Sequence, residues 1–333
     1  SCRVGNKPMW APNFWNNDGT VPRALQPLAW AYGSLGRLRW TMAKPYRLGI
    51  PVICIGNLVA GGAGKTPTAL AVERFLARQG VAVHFLSRGH GGCLKGPVPV
   101  DLDLHGPAHV GDESLLLAAV APAWIARNRV QGARAAQAGG AQAIVMDDGF
   151  QNPGLAKDLS LLVIDGAYGL GNGRVHPAGP LRETPADGLA RADGVVLLQT
   201  SEPAVSLPTW DVPTFQARLI PDDRALALRG RRVLAFAGIG RPARFFHTVR
   251  ELGAVVEAMH AFPDHHKYKE DEVWALLERA QARDAVAVTT AKDAVRLPPG
   301  ARDMVTVVDV TLMFDDAVGF DQLLNRVLAA GNL

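Results

Sequence analysis

The sequence predicts an α/β protein of two α/β/α units, a phosphate-binding-loop core followed by a smaller C-terminal α/β unit. Three observations predict it. A short apolar stretch runs into a glycine-rich loop ending in Lys-Thr and then into a helical pattern; similar apolar stretches alternate with helical patterns downstream; and a proline-rich passage interrupts that rhythm before it resumes. At 333 residues, 48% hydrophobic and 20% charged, the chain has the size and composition of about two ordinary globular domains.

The first 48 residues read differently. No acidic residue lies between Asp18 and Glu73, whereas Arg23, Arg37, Arg39, Lys44, Arg47 and Lys65 all do. In "RALQPLAWAYGSLGRLRW", residues 23–40, Leu25, Leu28, Tyr32 and Leu35 fall near one helical face that ends in Arg37 and Arg39. Trp10, Trp15, Trp30 and Trp40 lie in the same region, and tryptophan with basic residues favours the headgroup layer of a lipid surface. A helix packed on the protein's own core would show the same stripe, so the pattern leaves both uses open. No run of about 18 apolar residues occurs, which argues against a spanning helix. The net charge of +4 is too small to imply nucleic acid. Cys2, Cys54 and Cys93 are odd in number and lack metal-ligand spacing, which points to a reducing compartment without a disulfide framework.

From residue 49 the elements follow in order. "IPVICIG" at 50–56 reads as a buried strand, the glycine loop follows, and residues 66–79 read as a helix closed by Gly80. "VAVHFLS", "PAWIAR", "AQAIVMDD", "LSLLVID" and "GVVLLQ" are further strands of a parallel sheet covered on both faces. The proline-rich passage at 203–221 marks a boundary, so the core is expected at 49–215, a linker at 216–230 and the second unit at 231–333. That unit opens with "RRVLAFAGIG" and continues through "RPARFFHTVRELG", "AVVEAMHAF", "DEVWALLERAQAR" and "AVAVTT".

The loop "GNLVAGGAGKTP" departs from G-x-x-x-x-G-K-[ST] only in having Val59 where the first glycine belongs. Gly61, Gly62 and Gly64 supply permissive backbone, Lys65 a cation for phosphate, and Thr66 a hydroxyl for Mg²⁺. A carboxylate is expected at a neighbouring strand end, and "AIVMDDGFQ" offers Asp147 and Asp148. "GDES" places Asp112 and Glu113 at a helix start, as caps or as a catalytic base. "PLRE" offers Arg182 and Glu183, as an ion pair or as site residues, and "FPDHHKY" offers Asp264, His265 and His266. "GAYGLGNG" imitates a dinucleotide fingerprint, but the following "RVHPAGP" cannot open the required helix.

Taken in order, "PVICIGNLVAGGAGKTP", "LSRGHGG", "GDES", "MDDGFQN", "GNGRVHPAGPLRE", "LAFAGIGRPARFF", "FPDHHKY" and "TAKDAVRL" resemble the tetraacyldisaccharide 4'-kinases over nearly the whole chain. In that family an apolar residue stands where Val59 does. The resemblance implies ATP- and Mg²⁺-dependent phosphorylation of the 4'-hydroxyl of an acylated glucosamine disaccharide 1-phosphate, giving the lipid A precursor. It implies a kinase core and a second domain joined by a two-stranded linker. An N-terminal helix on the cytoplasmic face of the bacterial inner membrane is implied too, with the lipid substrate and membrane surface as partners and no obligatory protein partner. By the same resemblance Asn57, Val59, Ala60, Gly61, Gly62, Ala63, Gly64, Lys65, Thr66 and Pro67 hold nucleotide. Thr66, Asp148 and Glu183 hold metal, and Arg88, Arg129, Gln151 and Arg182 contact substrate. Asp112, partnered by His265 from the second domain, is the base, with Lys65, Asp147 and Asp148 as further catalytic groups. Asn152, Ser114, Ala291 and His90 depart from the family's usual His, Pro, Glu and Tyr. A nucleotide-dependent switch or metallochaperone-type NTPase shares the strand-loop-helix core and is the alternative, although nothing in its logic needs the N-terminal helix or the distant histidine.

Overall fold

The computed structural model describes residues 12–61, 64–199, 205 and 207–330. Trp10, Cys2, the segment before Met9, loop residues Gly62 and Ala63, and the start of the proline-rich passage lie outside the described residues.

After helix α1 (Thr20–Met42), strand β1 (Val52–Gly56) is buried at every position, as an apolar run covered on both faces should be. Helix α2 (Lys65–Arg78), β2 (Val83–Ser87), β3 (Val98–Pro99), α3 (Pro107–Val110), α4 (Asp112–Ala118), β4 (Ala123–Ile125), α5 (Arg129–Ala138), β5 (Ala143–Asp147) and β6 (Leu159–Asp165) follow. The core continues with α6 (Pro185–Leu189), β7 (Gly194–Leu198) and β8 (Thr214–Pro221). Then come β9 (Arg232–Ala237), α7 (Pro242–Glu251), β10 (Val255–Ala261), α8 (Glu270–Gln281), β11 (Val286–Thr290), α9 (Ala291–Ala294), α10 (Pro299–Arg302) and β12 (Thr306–Val308). The chain ends in β13 (Val310–Phe314) and α11 (Ala317–Ala330).

Two sheets result. The larger has nine strands in the order β13-β8-β7-β6-β1-β5-β2-β4-β3, parallel except for the antiparallel edges β13 and β3. Phe75 and Leu76 of α2 and Phe320 and Leu324 of α11 pack on one face. Ala29 of α1, Ala133 and Ala136 of α5, and Phe150 pack on the other. The smaller sheet, β10-β9-β11-β12, is all parallel. Phe245, Phe246 and Val249 of α7 cover one of its faces and Val273, Leu276 and Leu277 of α8 the other. The fold is therefore the two-sheet α/β architecture expected.

The expected boundaries need correction at two places. Residues 214–221, read as part of the proline-rich interruption, form β8, because Phe215 and Ala217 alternate with exposed residues and enter the core. Residues 310–330, read as part of the second unit, return to the first: β13 pairs with β8 from Val310↔Pro221 to Phe314↔Ala217, and α11 buries its apolar face on the large sheet. The two-stranded linker is thus β8 leaving and β13 returning. Cys93 is disulfide-bonded, against the sequence reading; an odd count still leaves room for one pair, and Cys54 is free and buried. Among the described residues no helix is long and apolar enough to cross a membrane. On α1, Ala29 is buried while Leu28, Trp30, Tyr32, Leu35, Leu38 and Met42 are exposed, so the helix packs one side on the core and leaves an apolar side uncovered.

Candidate active site

The site forms at the carboxyl ends of β1, β5 and β6, where an open parallel sheet leaves a crevice. After β1 the chain passes through buried Asn57, whose Nδ2 donates to the Gly61 carbonyl at 3.1 Å. Val59 stands opposite Leu181 in an antiparallel bridge, flanked by Arg182 N–H to Leu58 O (2.7 Å) and Ala60 N–H to Pro180 O (2.8 Å). Extended, paired backbone suits a β-branched residue, so valine replaces the usual glycine without strain. The bridge also places "PLRE" beside the loop. Gly64 precedes α2 with φ 71°, and a Cβ there would lie 2.3 Å from Leu198 Cδ1, so glycine is required on both counts. Lys65 Nζ donates to Gly61 O at 3.2 Å, and Pro67 sits in the first turn of α2, where no N–H is missed. Burial lowers the Lys65 pKa, opposed by the Asp148 carboxylate.

Asp147 ends β5. Thr66 Oγ1 donates to its Oδ2 at 2.9 Å, while its buried Oδ1 has no hydrogen-bond partner. Burial pushes its pKa up to about 6. A buried carboxylate oxygen left bare beside a threonine hydroxyl and a phosphate loop fits a hard divalent cation. Asp148 turns away at φ 57° and takes both Arg182 nitrogens at 2.6 and 3.2 Å, with Lys65 at 3.9 Å. Burial works against its ionised form, but Lys65 and Arg182 outweigh burial and hold its pKa below the usual carboxylate range. Gln151 Nε2 donates to Asn57 O at 2.9 Å and to Glu183 Oε1 at 3.1 Å, and Arg182 donates to Gln151 Oε1 at 3.2 Å. Arg182 and Glu183, adjacent in sequence, therefore pair with others: Arg182 with Asp148, Glu183 with Arg191. Arg129 is buried at the start of α5 and donates to Ala126 O; burial and the neighbouring Arg88 lower its pKa to about 10. Arg88 is exposed after β2. These two arginines lie on the β2–α5 side, where the Asp148 and Asp147 carboxylates act on Arg129 electrostatically.

The second cluster joins the units. Gly111, at φ 84°, turns the chain so that α4 begins at Asp112, which is 3% exposed. His265 Nδ1 lies 3.0 Å from Asp112 Oδ2, Arg296 Nε 3.3 Å and Lys292 Nζ 4.0 Å. Lys292 also pairs with Glu113 at 2.8 Å and Asp264 at 3.7 Å. Burial would raise the Asp112 pKa, yet the His265 hydrogen bond and Lys292 overcome it and hold the carboxyl well below its usual range. The Asp112 bond raises the His265 pKa above the ordinary imidazole value. Burial raises Glu113. Although Asp112, Glu113 and His265 converge closely enough to ligate an ion, the Lys292 ammonium already supplies the cation there. His265 is at φ 57°, a backbone that costs a non-glycine residue on the order of 1 kcal/mol. Glu113, next to Asp112, pairs with Lys292 at 2.8 Å and belongs to this second cluster.

A family model for the tetraacyldisaccharide-1-P 4'-kinases matches residues 21–329. The chain belongs to this family. It is 54% identical over 325 residues to the tetraacyldisaccharide 4'-kinase of Rhodospirillum rubrum, covering 96% of this chain and 98% of that one. It is 53% identical over 328 residues to that of Rhodospirillum centenum, with 96% and 97% covered. The crystal structure of Aquifex aeolicus LpxK in complex with ATP superposes with a TM-score of 0.75 at 26% identity, over 92% of this chain and 99% of that one.

Against this kinase family's usual pattern, the departures have local explanations. Asn152 accepts from Gly154 N–H at 3.0 Å and shapes a turn; Ser114 donates to Ser87 Oγ at 3.1 Å in the interior; Ala291 opens α9; and the His90 ring meets the His265 ring edge-on at 5.7 Å. Sequence reasoning missed Lys292 and Arg296 as site residues. Both lie in "TAKDAVRL", and their i, i+4 spacing was the available signal that two cations share one face.

Proposed function

We propose that this kinase transfers the γ-phosphoryl group of ATP to the 4'-hydroxyl of a tetraacyldisaccharide 1-phosphate, with Asp112 as the proton acceptor. The observation that carries the residue assignment is the Asp112–His265 contact at 3.0 Å, which joins the start of α4 in the core to a residue of the second unit. Lys65 and the N-terminus of α2 neutralise the phosphates. Thr66 and Asp147 would hold Mg²⁺, with Asp148 and Glu183 as the further carboxylates of this side of the site, and the ion would offset charge on the phosphate oxygens. This revises the metal set expected from resemblance, because Asp147 rather than Asp148 bonds Thr66 and keeps a bare oxygen.

Asp112 so strongly held in its ionised form is a weak base. A loose phosphoryl-transfer transition state asks little of the base until late, when the hydroxyl proton becomes acidic as its oxygen bonds phosphorus. His265 fixes which carboxylate oxygen points at the acceptor. The exposed side of α1, with Trp30, Leu35 and Arg39, lies on the cytoplasmic surface of the inner membrane and brings the site to its lipid substrate. Thin-layer analysis of labelled phosphate passed from ATP to purified disaccharide acceptor tests the reading: a labelled lipid product is expected, and ATP turnover indifferent to acceptor would favour the nucleotide switch instead.

A further inference from the structure

Arg191 lies where three elements meet, and none of the sequence motifs includes it. Its guanidinium stacks over the Trp40 ring at 4.2 Å and faces the Phe150 ring at 5.3 Å. One nitrogen donates to the Asp187 carbonyl at 2.7 Å and the other pairs with Glu183. The Nε has no hydrogen-bond partner, so stacking, together with two bonds, sets the plane of the group. Trp40 belongs to the last turn of α1 and also carries Lys157 over its ring at 4.9 Å. Phe150 follows Asp148 by two residues and packs tightly on Gly56, where a Cβ would lie 2.3 Å from the Phe150 Cβ. Beyond Arg191 the contacts continue through Glu183 and Gln151 to Asn57 O, at the start of the phosphate loop.

We infer that Arg191 is a positioning residue for Glu183, and that Trp40 holds it in place. The last turn of α1 is then a wall of the phosphate site as well as part of a surface helix. A flat guanidinium can lie over the indole face while two of its nitrogens, held in one plane, serve different acceptors. Without the stack, Arg191 has neither its plane nor a reason to stay beside Glu183, and Glu183 loses the partner that aims it. The inference rests on the proposed reading, in which Glu183 stands beside bound Mg²⁺.

Binding of Mn²⁺ by the full chain with a non-hydrolysable ATP analogue, followed by the electron paramagnetic resonance of the free ion, tests it together with steady-state kinetics in detergent. Arg191→Met and Trp40→Leu should each weaken Mn²⁺ binding by about tenfold, the size typical for loss of a group that orients a metal-side residue. Both should lower kcat with the KM for acceptor unchanged, and Trp40→Phe, which keeps an aromatic face, should restore most of the affinity. Trp40 is half-buried in the last turn of a surface helix and belongs to no buried core cluster, so its variants carry the test if Arg191→Met does not fold. Wild-type Mn²⁺ affinity in Trp40→Leu overturns the inference. A wild-type chain that binds no Mn²⁺ with the analogue and transfers no phosphate overturns the functional reading instead, and the inference with it.

Discussion

Lys65 and the Asp112–His265 pair make separable demands on catalysis. Lys65→Ala removes the fixed cation of the loop, and a loss of about 10²-fold or more in kcat is expected from steady-state rates; near-wild-type turnover would remove the loop from the chemistry. If Asp112 and His265 act as a unit, Asp112→Ala and His265→Ala each lower kcat far more than they raise the KM for ATP. The double variant is then little worse than the poorer single one, whereas multiplicative losses would mean separate roles. Lys65, Thr66, Asp112 and His265 were legible because each sits in a short local motif whose chemistry is visible without the fold. Which of Asp147 and Asp148 meets Thr66 was not legible, since neighbouring residues share a motif and only the φ of 57° at Asp148 separates them, sending one carboxylate to Thr66 and the other to Arg182. Lys292 and Arg296 stayed hidden for a different reason: a cation on a short helix reads as surface until the chain places a buried aspartate against it.

At the scale of elements, α1 has one side packed on the core and one apolar side exposed, and the proposed lipid contact assigns the second. Trp30 and Leu35 are each 67% exposed, on a helix that keeps Ala29 against the core. Replacing both by alanine removes about 2 kcal/mol or more of apolar transfer energy. Recovery on phosphatidylethanolamine–phosphatidylglycerol vesicles in co-sedimentation should fall by about tenfold or more, while turnover of detergent-dispersed substrate changes little. Unchanged recovery would move lipid contact to another surface. The amphipathic stripe was legible from its spacing, but its division into a core side and an exposed side was not, because spacing alone does not say which edge of an apolar stripe meets the protein. β8 was lost behind its prolines although the alternation Phe215, Ala217 was there to be read. By contrast β1, β5 and β6 were plain, because fully buried parallel strands leave unbroken apolar runs in the sequence.

Across the whole molecule, charge fastens the small sheet to the large one. His265, Lys292 and Arg296 gather on Asp112, and Arg241 and Arg244 gather on Asp165 at 3.1 and 3.3 Å. His265 has a raised pKa in the fold, so its contribution to stability is complete below the ordinary imidazole value of about 6.5 and is lost as pH rises through the raised value. Asp112 has a lowered pKa, so its share is complete above about 4 and is lost only as pH falls through that lowered value. The pair is therefore strongest between about pH 4 and 6.5, and the difference in Tm between the wild type and His265→Ala should be larger at pH 6 than at pH 9 by calorimetry; equal differences would mean that the contact is not ionic. The division into two sheets was legible from the rhythm of the sequence, but the return of residues 310–330 was not, since pairing between strands so far apart leaves no local mark. That return has a further consequence. Pro221 and Val310 stand opposite each other in one ladder, so the 88 or so residues between them leave and rejoin the host at a single point, as an insert does. A hairpin turn could close that gap, and the remaining chain would keep every strand of the larger sheet, its phosphate loop and α1, yet lack His265. The phosphate loop and the groups that gather on Asp112 are thereby written in separable stretches of one gene, and a lineage or an engineer could exchange the guest without recutting the host.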